Sequence, residues 1–306
     1  MAIYRRMTII GCGLIGSSLA HAARDHAAVE EIVVADRDAQ VRARVEELGF
    51  ADRVVANTAG AVRGSDLVVI ATPVGAFAAV VAEIAAALEP GATLTDVGSV
   101  KGAAARAFAG LGRGDVFAIP GHPIAGTEQS GPDAGFATLF KNRWTILTPP
   151  EGAERAAVER LAGVWRELGA NVETMDVAHH DLVLAVTSHL PHLIAYNIVG
   201  TAADLEEVTS SEVMKYSAGG FRDFTRIAAS DPIMWRDIFL NNREAVLEVL
   251  ARFTEDLHAL SRAIRRGEGQ ILEDLFVRTR AIRRGIIDAG QESAAPNFGR
   301  DPLQGS

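Results

Sequence analysis

The chain has 306 residues, 48% of them apolar and 23% charged, which is enough to bury the cores of about two domains and too apolar for a disordered chain. Its 30 Lys and Arg against 39 Asp and Glu give a formal charge of −9, which excludes generic binding to nucleic acid or an anionic membrane, since both need basic surface. The single cysteine, Cys12, excludes an intramolecular disulfide framework, a Cys-cluster zinc site and a protein-held iron–sulfur cluster, and it suits a reducing cytoplasm.

The first half alternates short β-branched runs with longer helical patterns. Residues 1–6 read as a short leading segment without the apolar core of a signal peptide. Strands are predicted at 7–10, 31–36, 67–71, 93–96, 116–119, 144–147 and 172–175. Helices are predicted at 16–25, 39–48, 77–88, 101–108 and 154–168, with Gly49, Pro90-Gly91 and Gly169 as stops. Nearly all-apolar strands that alternate with helices imply crossover units and a parallel sheet covered on both faces. From Ala178 to Ile287 apolar residues recur at helical spacing only. The expected fold is therefore α/β, a Rossmann-type doubly wound parallel sheet over residues 1–176, followed by an all-helical domain over 177–290 and a disordered tail over 291–306. The apolar stretches 67–82 and 182–203 contain Pro, Gly, His or Asn, so they read as buried segments and not as membrane spans.

Gly11-Cys12-Gly13-Leu14-Ile15-Gly16 follows a strand and opens a helix. In that frame the first glycine permits the tight turn, the second admits a pyrophosphate, and the third packs helix against strand, with the phosphates on the helix N-terminus. Asp36 ends the second predicted strand 36 − 16 = 20 residues past the last glycine, where a carboxylate can accept from both ribose hydroxyls. It would repel a 2′-phosphate, so NAD is expected; Arg37 beside it leaves NADP open. Thr72 and Pro73, at the carboxyl edge of the sheet, fall beside the same cofactor.

Two further loops leave strand ends at that edge, DVGSVKG (96–102) and GHPIAGTE (121–128), and they place Ser99 and His122 toward the crevice where ligands bind. His122, between Gly and Pro, has the acid–base range for chemistry near neutrality; a structural loop histidine is the equally weighted alternative. In the helical half, His189 and His192 share one helix face at i and i+3, and Pro191 implies a kink. No carboxylate stands at a known ligand spacing, so a polar substrate pocket or satisfied core histidines are favoured over a metal. Asp223 and Arg226, also at i and i+3, are expected to pair and fix a guanidinium for a substrate carboxylate, a weak surface ion pair being the alternative, with Trp235 as an aromatic wall or a core residue.

In this order, GCGLIGSSLA, DVGSVKG, GHPIAGTE, and SHLPH with GGFRDFTRIAASDPIMW resemble the prephenate/arogenate (cyclohexadienyl) dehydrogenase family of tyrosine biosynthesis, over about residues 7–287. The resemblance implies a nucleotide-binding domain, a helical domain forming a homodimer, and NAD(P)-dependent oxidative decarboxylation of prephenate to 4-hydroxyphenylpyruvate or of arogenate to tyrosine. By motif, His122 resembles the acceptor of the ring hydroxyl's hydrogen bond, and Ser99 its partner at that hydroxyl. Arg226 resembles the carboxylate-binding arginine positioned by Asp223. His192, Glu128 and Trp235 resemble residues of the substrate pocket and its mouth. Two other readings stand beside it: a β-hydroxyacid dehydrogenase, which would need a catalytic Lys shortly before an Asn that Asn241-Asn242 lacks, and a non-catalytic NAD-sensing Rossmann protein.

Overall fold

The computed structural model describes residues 2–205 and 219–288; the predicted tail lies outside the described residues. The first half builds a six-stranded parallel sheet in the order β3-β2-β1-β4-β5-β6, from β1 (Tyr4–Ile10), β2 (Val29–Ala35), β3 (Arg53–Val55), β4 (Leu67–Ile70), β5 (Thr93–Asp96) and β6 (Phe117–Ala118). Alternate side chains along the strands supply two separate cores. Met7, Ile9 and Val69 face one core with α1 (Leu14–Asp25) and α6 (Arg155–Glu167). Ile10, Val68, Ile70 and Leu94 face the other with α4 (Phe77–Ile84) and α5 (Lys101–Ala109). Covering both faces is what allows strands such as Leu67–Ile70 to be apolar at every position.

Three details differ from the sequence expectations. Tyr4 already belongs to β1, so residues 4–6 of the leading segment are strand. The short edge strand β3 was not anticipated; only Arg53, Val54 and Val55 pair with β2. The predicted strands at 144–147 and 172–175 do not join the main sheet. They are β8 (Trp144–Leu147) and β9 (Asn171–Thr174) of a separate three-stranded sheet, with β7 (Gly121–Pro123) antiparallel to β8 and β8 parallel to β9. Pro120 has no N–H to extend the β5–β6 ladder past Ile119, and the chain turns there into β7.

From Val177 onward the described structure is helical: α7 (Val177–Leu184), a π-helical turn (Ala185–His189), α8 (Leu190–Leu205), α9 (Gly219–Thr225), α10 (Pro232–Asn241), α11 (Arg243–Arg266) and α12 (Gly269–Asp288). The π turn directly precedes Pro191, which lacks the N–H that a regular ladder would use. Trp235 and Ile238 of α10 join the second core, so the change from α/β to helical structure falls inside the first compact unit, Met1–Leu247. The second unit runs from Glu248 onward and exposes Leu257, Ile264, Ile271, Phe276, Val277 and Ile282.

The continuous helical run Val177–Asp204 is long and apolar enough, by composition, to cross a membrane. Its polar residues His180, Asp181 and His189 are nonetheless buried in hydrogen bonds to the rest of the unit. The expectation of a fully buried segment is corrected in part: Leu182, Val186, Ile198 and Val199 on this run are exposed in the single chain.

Candidate active site

Three glycines shape the turn between β1 and α1. Gly11 has φ +91° and lies so near Ala71 that an added Cβ would sit 2.9 Å from its carbonyl oxygen. A Cβ on Gly16 would collide with the Gly11 carbonyl, whereas one on Gly13 would meet nothing within 4 Å. The open face of the loop is therefore at Gly13, the N-cap of α1. There no side chain caps the helix and no acidic residue occupies the first turn. The amides of Leu14, Ile15 and Gly16 are thus left to an anion, which is the chemistry of a pyrophosphate cradle. Asp36 lies beside it and accepts from the amides of Cys12 and Asp38 at 2.9 Å each, which fixes the carboxylate while leaving it further acceptor capacity. Arg37 next to it is exposed. Thr72 and Pro73 follow β4, and Thr72 Oγ1 is buried without a hydrogen-bond partner among the described residues.

His122 sits in β7 and not in a loop, and it is buried. Its Nδ1 is 2.9 Å from Nε2 of His180, whose Nδ1 is 2.8 Å from the Asp181 carboxylate. That carboxylate also receives the backbone N–H of Lys101 and of Gly102, each at 2.8 Å. Gly102 leaves room for this contact, since a Cβ there would come within 2.8 Å of Asp181 Oδ2 and push the carboxylate aside. Beneath the group, the fully buried ammonium of Lys101 bonds both Asp96 and the Gly121 carbonyl, and Asp96 accepts from the amides of Gly98 and Gly121. Burial holds His122 well below the ordinary imidazole range, and the neighbouring His180, Lys101 and His189 work the same way. Burial also lowers His180 against the raising effect of Asp181, and takes His189 down to about 4. At Asp181 burial acts upward, but the hydrogen bonds from His180, Gly102 and Lys101 outweigh it and leave the carboxyl below its usual range. Ser99 is half-buried in the turn between β5 and α5.

On the helical side, His192 stacks on Trp235 with ring centroids 3.7 Å apart, and His189 meets the same indole edge-on at 6.1 Å. His189 Nδ1 is 3.0 Å from Asn242 Nδ2, which also donates to the Asp181 carbonyl at 2.8 Å. Burial keeps His192 below its ordinary range, with Arg226 contributing in the same direction. The expected Asp223–Arg226 pair is corrected. Asp223 is exposed on α9, and Arg226 instead donates to Glu128 at 2.9 Å, because the loop after His122 reaches the guanidinium. His189 Nε2 and Trp235 Nε1 are buried without a hydrogen-bond partner among the described residues.

Sequence reasoning missed Lys101, His180, Asp181 and Asn242 as parts of this site. The one available signal was His179-His180-Asp181 at the start of a helix. Among the described residues no cluster suited to a metal ion occurs.

A glycine cradle at the carboxyl edge of a doubly wound sheet fits a dinucleotide-binding domain, and the same unit carries a buried imidazole of lowered pKa. Comparison with known proteins narrows this. Residues 19–174 match the family model "Prephenate dehydrogenase, nucleotide-binding domain", and residues 176–278 match "Prephenate dehydrogenase, dimerization domain". The chain is 41% identical to the cyclohexadienyl dehydrogenase of Zymomonas mobilis over 272 residues, covering 89% of this chain and 92% of that one. It is 33% identical to the prephenate dehydrogenase of Bacillus subtilis, covering 83% and 68% respectively. The solved prephenate dehydrogenase of Aquifex aeolicus, in complex with hydroxyphenyl propionate and NAD+, superposes with a TM-score of 0.85 at 33% identity, over 92% of this chain and 98% of that one. The chain belongs to the prephenate dehydrogenase family, as its motifs implied, and is an enzyme of that kind.

Proposed function

We propose that the chain catalyses NAD-dependent oxidative decarboxylation of prephenate to 4-hydroxyphenylpyruvate, of arogenate to tyrosine, or of both. The observation that carries this reading is His122, a buried and neutral imidazole. It lies in β7, and the loop that follows this strand carries Glu128, which holds Arg226 from the helical side.

Gly11, Gly13, Leu14, Ile15 and Gly16 would hold the pyrophosphate, Asp36 the adenosine ribose, and Thr72 and Pro73 would flank the dinucleotide. Bound NAD supplies the hydride acceptor. His122 accepts a hydrogen bond from the ring hydroxyl, drawing off its proton as the carbon beneath is oxidised, and Ser99 steadies the same oxygen. Arg226 clamps a carboxylate at the other end of the substrate, with Trp235 and His192 as the flat wall between. Carbon dioxide leaves because its departure makes the ring aromatic, so the protein supplies mainly orientation and charge complementarity.

Steady-state rates with prephenate and with arogenate, each with NAD and NADP, test the proposal. Turnover of at least one acid with a preference for NAD is expected. A preference for NADP would overturn the role given to Asp36, and turnover of 3-hydroxyisobutyrate with neither acid accepted would overturn the substrate. Arg226→Ala should raise KM by about 10–100-fold with kcat little changed, since it removes a clamp present in both ground and transition states. An unaltered KM would show that the carboxylate is held elsewhere.

The open apolar faces of the second unit, Ile264, Ile271, Phe276 and Ile282 among them, fit a second copy of the chain in a homodimer. The free, buried Cys12 suits a cytoplasmic setting.

A further inference from the structure

We propose that Asp181 and His180 are positioning residues that lock His122 in the tautomer with hydrogen on Nδ1 and a free lone pair on Nε2. The inference deepens the reading of His122 as hydrogen-bond acceptor and rests on it for its functional meaning. It begins at the carboxylate, which accepts two backbone amides at the start of α5 and so stands as an ionised, acceptor-only group. His180 Nδ1, 2.8 Å away, must therefore carry a hydrogen. His180 is completely buried, its hydrogen-bonded carboxylate is already shared with those two amides, and burial together with the Lys101 ammonium outweighs the pull of Asp181 and Asp96 toward a charged ring. The ring is neutral, so its Nε2 is a lone pair. His122 Nδ1, 2.9 Å from that lone pair, must then be the donor. Hydrogen on Nδ1 of a neutral ring leaves Nε2 as acceptor, and Nε2 has no hydrogen-bond partner among the described residues.

The direction of this chain matters for the reaction. With the opposite tautomer His122 would present an N–H to the substrate hydroxyl and could not take its proton. Asn242, which donates to the Asp181 carbonyl, and the amides of α5 hold the origin of the chain in place. The sidedness of His122 is thus set by a residue that lies beyond an intervening ring.

The test is imidazole nitrogen NMR on the full-length protein labelled with 15N-histidine, with His122 assigned by its loss from the His122→Asn spectrum. The wild-type protein should show His122 Nδ1 as the protonated nitrogen and Nε2 as the unprotonated one. The reverse pattern, which a charged His180 would impose, overturns the proposal whatever the activity. A His180→Phe variant should lose kcat by about 10–100-fold with KM within a few-fold, and a mixture of His122 tautomers should appear. His180→Gln, which keeps an acceptor within reach, should restore the Nδ1–H tautomer and most of kcat. If both variants are equally impaired with the wild-type tautomer retained, the role of His180 is structural and the proposal fails. The locked tautomer observed in a protein inactive on both cyclohexadienyl acids would instead count against the proposed reaction and leave the relay intact.

Discussion

His122→Asn is expected to lower kcat by about 10²–10⁴-fold while leaving KM near the wild-type value. The side chain is removed from the reacting hydroxyl and not from the parts of the site that hold carboxylate and ring, so binding should survive where chemistry does not. The pH profile supplies an independent check. The acceptor must be uncharged, and burial keeps His122 well below the ordinary imidazole range, with its cationic or ionisable neighbours adding to the effect. The profile of kcat/KM should therefore be flat through neutrality and fall on the acid side only once His122 takes a proton. Stability should move with the same sign. His122, His180, His189 and His192 are all lowered on folding, so the unfolded chain binds more protons than the folded one below the ordinary imidazole value. Their contribution is complete above that value and is lost progressively as pH falls toward their folded values, about 4 for His189. Near-normal turnover in the asparagine variant, or an acid limb centred at the ordinary imidazole value, would remove His122 from the chemistry.

Lys101→Met should cost about 3–5 kcal/mol of stability, the range for breaking a buried ion pair by deleting one partner. Lys101 and Asp96 are both wholly buried, and the ammonium also bonds the carbonyl of Gly121, the residue before His122. Without it Asp96 is left as an uncompensated carboxylate that must take a proton, and β7 loses a tether. Adding Asp96→Asn should recover a large part of the loss, because the amide removes the stranded charge while keeping an acceptor for the backbone. Urea unfolding of the three proteins at constant m-value measures this. A single-variant loss below about 1 kcal/mol would mean that the pair is replaceable by ordinary packing.

The sheet was legible because its signals are local. Short apolar runs followed by helical periods give the strands, and GCGLIG carries its own turn geometry. Asp36 was legible for the same reason, at a fixed distance from the loop. The network behind His122 was not, since apart from the bond between the adjacent His180 and Asp181 its links join residues far apart in sequence: His122 with His180 across 58 positions, Asp181 with the start of α5 across 79 and 80, Asn242 with Asp181 across 61. Lys101 looks like any polar residue opening a helix until the fold closes over it. The Arg226 error has the same origin. The i, i+3 rule favoured Asp223, but a loop 98 positions away supplies Glu128. Sequence alone suggests a loop at His122 because a three-residue strand that follows one proline and ends on another carries no strand period of its own.

The π-helical turn at Ala185–His189 acts as a phase shifter. One extra residue in a helix rotates everything beyond it by about 100° relative to everything before. His180 and Asp181 lie upstream of that turn, while His192 lies downstream and His189 at its end. Removing one residue there would give a more regular helix, yet it would swing the imidazole on Trp235 out of step with the one against β7. The irregular spiral is thus what allows one continuous rod to meet both His122 and Trp235.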